Sequence, residues 1–392
     1  MNAKIGRSGL IVALGMAFAI LGSARPASAI PLFANAQGGV SCQMCHTSVP
    51  NLNATGRYVL ATNFARVLDA HAQMENNKHL PVALEFTLNK SSVPDPTFGN
   101  KVMVGVIDLL SAGYLGKDFT YYASVPIVEG GMPAASIDQG WIAYNGLSHG
   151  NGSLQVGMFP TPFFAPWVAM NLSLSGYSFA ALGVGNNGVG TGDNRWGASY
   201  TQIGSKGLIG NVAYMTNEGP LETAYDSDTD SSVAGAVGQS VVGSLMYMWP
   251  ETRWSGGIAF EGGTTPLPSG AKDTYSRYGG LVAYTGPRYM LLGVDLQGND
   301  NNPQDISPAV SSQSHAYSLE AIYNVVPEKA NLDLRYDNTN DGMGGVNNYY
   351  IGDLAVNIQP NVVFTIEDAM TVGGTPVWSY QLLWGGPWWK NH

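Results

Sequence analysis

The sequence predicts a mainly β protein: an antiparallel membrane barrel of about sixteen strands behind a small α-helical segment. Three observations carry this. Charged residues are only 12% of the chain and glycine supplies 50 of its 392 residues, whereas a soluble domain carries about a quarter charged residues. From residue 80 onward, apolar and polar residues alternate with period two. The connections between the alternating stretches are short and long by turns. No apolar run reaches the ~20 residues of a membrane helix, so a membrane-embedded form of this chain has to be a closed barrel.

The N-terminus reads as an export signal. Lys4 and Arg7 give a positive start, an apolar stretch runs from Leu10 to Leu21, and Ala27-Ser28-Ala29 supplies the small-x-small cleavage pattern. The expected layout is a signal peptide at 1–29, a haem-bearing segment at 30–79 and a barrel at 80–392.

The haem assignment rests on Cys42-Gln43-Met44-Cys45-His46, which holds both cysteines of the chain. C-x-x-C-H is the attachment pattern of c-type haem. Two thiols with this spacing each reach one vinyl group, and the adjacent histidine falls under the iron as an axial ligand. A disulfide or a dithiol redox pair would use the same two cysteines; the following histidine and the lack of any other cysteine favour haem. One covalent haem c is expected, on Cys42 and Cys45, with His46 on the iron. A helix should follow, capped by Asn53, with Tyr58, Ala61, Phe64, Ala65 and Leu68 at helical spacing. His71, Met74 and His79 are candidates for the sixth ligand; an open sixth position is the alternative.

Sixteen strands are expected near 80–87, 101–112, 119–127, 136–145, 152–159, 195–203, 207–216, 241–249, 253–261, 277–285, 288–296, 315–323, 329–336, 347–356, 360–368 and 376–384. Asn331 to Tyr336 alternates without a break, and Trp378, Tyr380, Leu382 and Trp384 form an apolar row. Gly204-Ser205-Lys206, Pro250-Glu251-Thr252 and Gly286-Pro287 are short connections, while 160–194, 217–240, 262–276 and 297–314 are long. Outer-membrane barrels have short periplasmic turns and long external loops, and an even strand count returns both termini to the periplasm. A β-sandwich alternates too but has no reason to alternate its loop lengths. Trp388 and Trp389 follow the last strand as candidates for the interfacial aromatic girdle.

Acidic residues mark where a cation would meet such a barrel. Glu218, Glu222, Asp226, Asp228 and Asp230 fall in one long loop with no Lys, Arg or His, and Asp300, Asp305, Asp337 and Asp341 are assigned to neighbouring loops. Alternation turns Asp295, Glu320, Asp333 and Glu367 toward the lumen, with Arg335 beside them. Hard oxygen ligands suit small divalent cations; polar loops and lumens are acidic without any such role as well. A net charge of −10 speaks against a nucleic-acid partner. There is no P-loop and no H-E-x-x-H pattern, and the glycine-rich run Gly183 to Gly192 reads as a loop.

The stretches Ile30-Pro31-Leu32-Phe33-Ala34, Gly39 to His46, Pro50-Asn51-Leu52-Asn53 and Gly56-Arg57 resemble the fused outer-membrane cytochrome–porins. That family includes iron-oxidising cytochromes of acidophilic and neutrophilic iron bacteria. Val156 to Phe163 is similar to a strand end of porin-type barrels. Asn35 departs from the arginine that often follows the Phe-Ala pair. The resemblance covers residues 30–60 in motif and the mature chain in layout. It implies a single-haem segment ahead of the barrel in the outer membrane. Such a protein would take electrons from extracellular Fe(II) and pass them to a periplasmic cytochrome. A porin with a haem plug or sensor, a conduit for another donor or acceptor, and a soluble periplasmic carrier are the other readings. The haem segment is short for an independent domain and is expected to fold by docking into the barrel mouth.

Overall fold

The computed structural model describes residues 44–48, 50–65, 82–94, 97, 99–134, 137–168, 172–216, 238–359 and 362–387. The signal segment, Cys42, Leu68, His71, Met74, His79, the loop acids Glu218, Glu222, Asp226, Asp228 and Asp230, and Trp388 and Trp389 lie outside the described residues.

A small hairpin of β1 (His46–Ser48) and β2 (Asn51–Leu52) precedes helix α1 (Ala54–Ala61). The barrel is built from β3 (Val82–Ser91), β4 (Met103–Tyr114), β5 (Phe119–Glu129), the short β6 (Met132–Pro133), β7 (Gln139–Leu147) and β8 (Gly152–Pro160). Helix α2 (Ala165–Val168) follows, then β9 (Asn194–Ile203), β10 (Leu208–Thr216), β11 (Gln239–Met248), β12 (Trp254–Pro266) and β13 (Lys272–Thr285). The chain ends with β14 (Tyr289–Asp300), β15 (Ser312–Val326), β16 (Ala330–Asn340), β17 (Val346–Gln359), β18 (Val362–Thr371) and β19 (Val377–Pro387). All pairings are antiparallel and run between successive strands, except that β5 also pairs with β7 past the short β6, and β19 pairs with β3 to close the barrel. Closure leaves no open sheet edge. Each of the sixteen expected strands overlaps one long observed strand. No helix among the described residues is long and apolar enough to cross a membrane.

Alternation sets which side of the wall each residue occupies. On β10, Ile209, Asn211, Ala213 and Met215 point inward and are buried, while Leu208, Val212 and Tyr214 are exposed. The outer face stays apolar strand after strand: Ile258 is 64% exposed and Leu319 is 58% exposed. Aromatic rings mark both edges of this band. Trp254, Tyr284 and Tyr289 stack at the short-turn end, and Tyr317, Tyr336 and Tyr350 form a chain at the other. An apolar belt between two aromatic girdles is the outer surface of a barrel built for a bilayer.

Several expectations are corrected. The connections 262–276 and 297–314 shrink to 267–271 and 301–311, because β12 to β15 extend past the apolar band. Asp300 is therefore not a loop residue, and neither is Asp337, because β16 runs on to Asn340. Both are buried and inward, and both pair with arginines of the wall. Asp305 and Asp341 do lie in connections. There Asp305 accepts from the Ser269 amide, and Asp341 accepts from the amides of Met343 and Gly345. Asp295 faces outward, not into the lumen, 59% exposed on its side chain and 2.6 Å from His315 Nε2. The last strand continues through Gly385 and Gly386 to Pro387, where it pairs with the start of β3. The segment 160–194 was expected outside the barrel. Its described residues instead fold into the lumen and are called the strap below.

The lumen itself differs from expectation. A polar interior was expected on all strands, but much of it is apolar. Ile209, Met215, Val242, Met246, Met248, Leu281, Leu292, Val294 and Leu296 point inward and join one hydrophobic cluster with Phe163, Phe164, Trp167 and Phe179 of the strap. Val59 and Phe64 of the N-terminal segment belong to the same cluster.

Candidate functional site

The motif-bearing segment sits at the short-turn end of the barrel, and its local geometry follows from a few residues. Asn53 has extended backbone and accepts from Gly56 N at 3.0 Å, a normal helix N-cap. The same residue ties the motif to the helix: its backbone N–H donates to Cys45 O at 2.9 Å and its Nδ2 to Met44 O at 3.1 Å. Gly56 lies directly beneath the motif, where a Cβ would collide with the Cys45 carbonyl oxygen. Glycine is required there by this close approach.

His46 lies on β1 with Nδ1 2.9 Å from Pro50 O. A carbonyl only accepts, so Nδ1 carries the proton and Nε2 is left with its lone pair. A histidine held by one ring N–H to a backbone carbonyl is the usual arrangement of a metal-ligating imidazole. Burial holds the His46 pKa below the ordinary histidine value, against backbone hydrogen bonds with Pro50 and Asn51. The neutral ring is the form that binds a metal. His46 therefore fits the role of an imidazole ligand to a haem iron; Cys42, the other end of the motif, lies outside the described residues.

The helix is shorter than its sequence period suggested. It ends at Ala61, and Asn63 and Phe64 take left-handed backbone. Two such non-glycine residues in a row are unfavourable, and tertiary contacts hold them. Asn63 O accepts from Thr120 Oγ1 at 2.8 Å, Asn63 Nδ2 donates to Ser153 Oγ at 3.1 Å, and Phe64 O accepts from Tyr114 Oη at 2.9 Å. The Phe64 ring stacks on Trp141 at 5.4 Å and lies beside Tyr122. Tyr114, Thr120 and Ser153 adjoin short turns, so the segment docks in that mouth of the barrel, with Phe64 reaching Tyr122 and Trp141 further in. Arg57 anchors the opposite side. It is buried, donating to Thr285 Oγ1 at 3.0 Å and Asn51 Oδ1 at 3.4 Å. Burial lowers its pKa to about 10, against the pull of Tyr177 and Glu320; it stays charged at neutral pH.

The described residues of the strap lie in the lumen between the helix and the far mouth. α2 packs against α1, and Phe163, Phe164 and Trp167 make edge-to-face ring contacts. Toward β15–β18 the strap is fastened by charge. Glu367 Oε2 accepts from Ser173 Oγ at 2.6 Å, Leu174 N at 2.7 Å and Ser175 N at 3.1 Å. Arg335 Nη2 donates to the Ser175 and Gly176 carbonyls at 2.9 and 3.0 Å. Tyr177 Oη donates to Glu320 Oε2 at 2.7 Å, and its ring lies under the Arg335 guanidinium. Burial, then Glu320, pushes the Tyr177 pKa well above the ordinary tyrosine value. Asn187 donates to Asp273 and Asp300, and Arg277 holds Asp300 in a two-pronged pair.

Glu320, Asp333, Glu367 and Arg335 thus face inward as expected, and the structure gathers them with Asp337 and Asp353 on adjacent strands. Sequence reasoning missed the inward fold of the strap and the part played by Ser173, Ser175, Tyr177 and Asn187. The one available signal was the density of small hydrogen-bonding residues in a segment too apolar for an external loop. Among the described residues no three His, Cys, Asp or Glu side chains converge as a metal site.

No family model matches the sequence. No curated protein is detectably similar to it. The barrel is similar to solved porins. An anion-selective porin from Comamonas acidovorans superposes with a TM-score of 0.56 at 13% identity, covering 78% of this chain and 98% of that one. A loop-deletion form of OmpT, an outer membrane protein of Vibrio cholerae, gives 0.53 at 10% identity, over 78% and 99% of the two chains. OmpF of Salmonella typhi, in complex with daunomycin, gives 0.51 at 11% identity, over 78% and 97%. The chain has the porin fold. At these identities the likeness speaks for the fold and for nothing finer.

Proposed function

We propose that this chain is an outer-membrane electron-transfer protein: a porin-like barrel that carries one c-type haem in its periplasmic mouth. Cys42 and Cys45 would hold the haem covalently and His46 would ligate its iron. The observation that carries this reading is His46, held through Nδ1 to Pro50 O so that Nε2 keeps the lone pair, in a segment wedged into the barrel. The haem would supply one-electron chemistry. The chain's own residues do the rest: Asn53 and Gly56 shape the motif, Arg57 and Phe64 fix it in the mouth, and the apolar filling keeps water away. The proposed donor is extracellular Fe(II), the proposed acceptor a periplasmic cytochrome, and both termini are placed in the periplasm.

The test is a pyridine haemochrome on purified membranes. A c-type spectrum that survives acid-acetone extraction and disappears in Cys42→Ala/Cys45→Ala supports the attachment. Reduction of that haem by added Fe(II) supports the donor. Haem retained at full occupancy in the double variant would sink the reading. A second reading, a porin-type channel that passes solutes and carries the haem as a plug or sensor, is favoured by the likeness to porins. Planar bilayers separate the two: steady ion conductance by the full chain supports the channel, and a silent barrel supports electron transfer.

A further inference from the structure

The wall that fastens the strap contains two carboxyl groups left without partners. Asp333 on β16 and Asp353 on β17 are direct cross-strand neighbours. Both point inward, 1% and 2% exposed. None of their four oxygens accepts a hydrogen bond from a donor. What stands close is more acid. The Asp333 carboxyl meets those of Glu320 and Asp353, and Glu367 is the cross-strand neighbour of Asp353 on β18. Glu320 Oε1, beside Asp333, is likewise without a donor. Five carboxylates, counting Asp337, face two guanidinium groups, those of Arg335 and Arg57.

Directly opposed like charges destabilise a sheet, and a buried ion without a partner costs several kcal/mol. The Arg335 charge stands near both, but the surrounding groups give the pair no hydrogen bond. Arg335 Nη2 is committed to the strap carbonyls, and Glu367 is filled by serine and amide donors of the strap. A proton shared between the two aspartates would serve one oxygen of each and leave the other two bare. A cation held by both carboxylates uses all four.

We propose that Asp333 and Asp353 hold a hard divalent cation of the Ca²⁺ or Mg²⁺ class between β16 and β17. Carboxylate oxygens alone are the donor set of those ions, which accept water in the remaining positions. The ion removes the repulsion within the wall and leaves Arg335 free to keep its grip on the strap, so that cation binding and strap docking support each other. The inference is independent of the haem.

The experiment uses the full-length protein in detergent, after chelation and dialysis. Ca²⁺ and Mg²⁺ are titrated by calorimetry, bound metal is counted by elemental analysis, and hydrogen exchange is followed in the strap peptides. One equivalent of bound metal and slower exchange at 172–187 on metal addition are expected. In Asp333→Asn/Asp353→Asn both responses should vanish, with affinity down at least ~tenfold. Asp226→Asn/Asp228→Asn, in the acidic loop, should keep both. Metal binding unchanged in the Asp333/Asp353 variant overturns the proposal. Should that variant fail to fold, the wild-type protein still decides. No bound metal, together with a carboxylic-acid C=O infrared band that shifts on aspartate labelling, means that protons hold the pair, and the cation site is rejected.

Discussion

The two walls of the lumen are built on the same alternation and differ in balance: the wall from β10 to β14 is mainly apolar, with Glu261, Asp273, Arg277 and Asp300 as its charged residues, and the wall from β15 to β18 carries the larger charged cluster. From β10 to β14 the inward row includes Ile209, Met215, Val242, Met246, Leu281, Leu292 and Leu296, packed on strap aromatics. From β15 to β18 it includes Glu320, Asp333, Arg335, Asp337, Asp353 and Glu367, bonded to strap backbone and hydroxyls. Both rows are buried, so burial does not separate them. What separates them is the part of the strap each one meets: mainly rings on one side, with Asn187 reaching Asp273 and Asp300, and a serine-rich backbone turn on the other. An inward residue in this barrel is chosen by the lumen's contents rather than by water, and a filled barrel can afford an apolar wall that an aqueous pore could not.

The largest expected effect comes from exchanging the chemistry of the walls. Leu296→Asp puts an unpaired charge at a fully buried position of the apolar wall. The cost is on the order of 5 kcal/mol, enough to abolish the heat-modifiable folded band on gels; a normally folded barrel would mean that water reaches this wall. Truncating the strap's contribution comes next. Phe164→Ala should lower unfolding stability by about 3 kcal/mol through the cavity it leaves, with faster hydrogen exchange across the strap. On the charged wall, Glu367→Gln should cost about 2 kcal/mol by weakening bonds to a charged acceptor, and exchange should rise at 173–175 while Phe164 stays protected. Uniform loosening of the whole strap would erase the distinction between its two anchorages.

Smaller effects are expected at the mouth and on the outer face. Asn53→Ala removes the cap of α1 and should cost about 1 kcal/mol, read as a lower melting temperature of the docked segment with the barrel transition unmoved. Movement of both transitions together would show that segment and barrel melt as one unit. Asp295→Asn, in the exposed pair with His315, should change stability by less than ~0.5 kcal/mol. A larger loss would mean that this pair works as a buried one.

The alternating stretches located all sixteen long strands because a period of two is a local property, visible wherever one face of a strand differs from the other. The motif and its cap were legible for the same reason: Cys45, His46 and Asn53 act within about ten residues of one another. Strand ends were less legible. Asp300 and Asp337 look like loop acids until Arg277 and Arg335 are found across the sheet, and Asp295 looks inward until the register fixes its parity.

The sequence by itself determined the strands, their order and the C-x-x-C-H motif, since each depends on neighbours along the chain. Only the tertiary structure decided what fills the barrel. The strap's inward fold, the left-handed turn at Asn63 and Phe64, and the meeting of Asp333 with Asp353 depend on contacts between residues far apart in the chain. Such contacts leave no period in the sequence, because the free energy that selects them appears only once the barrel has closed around its contents.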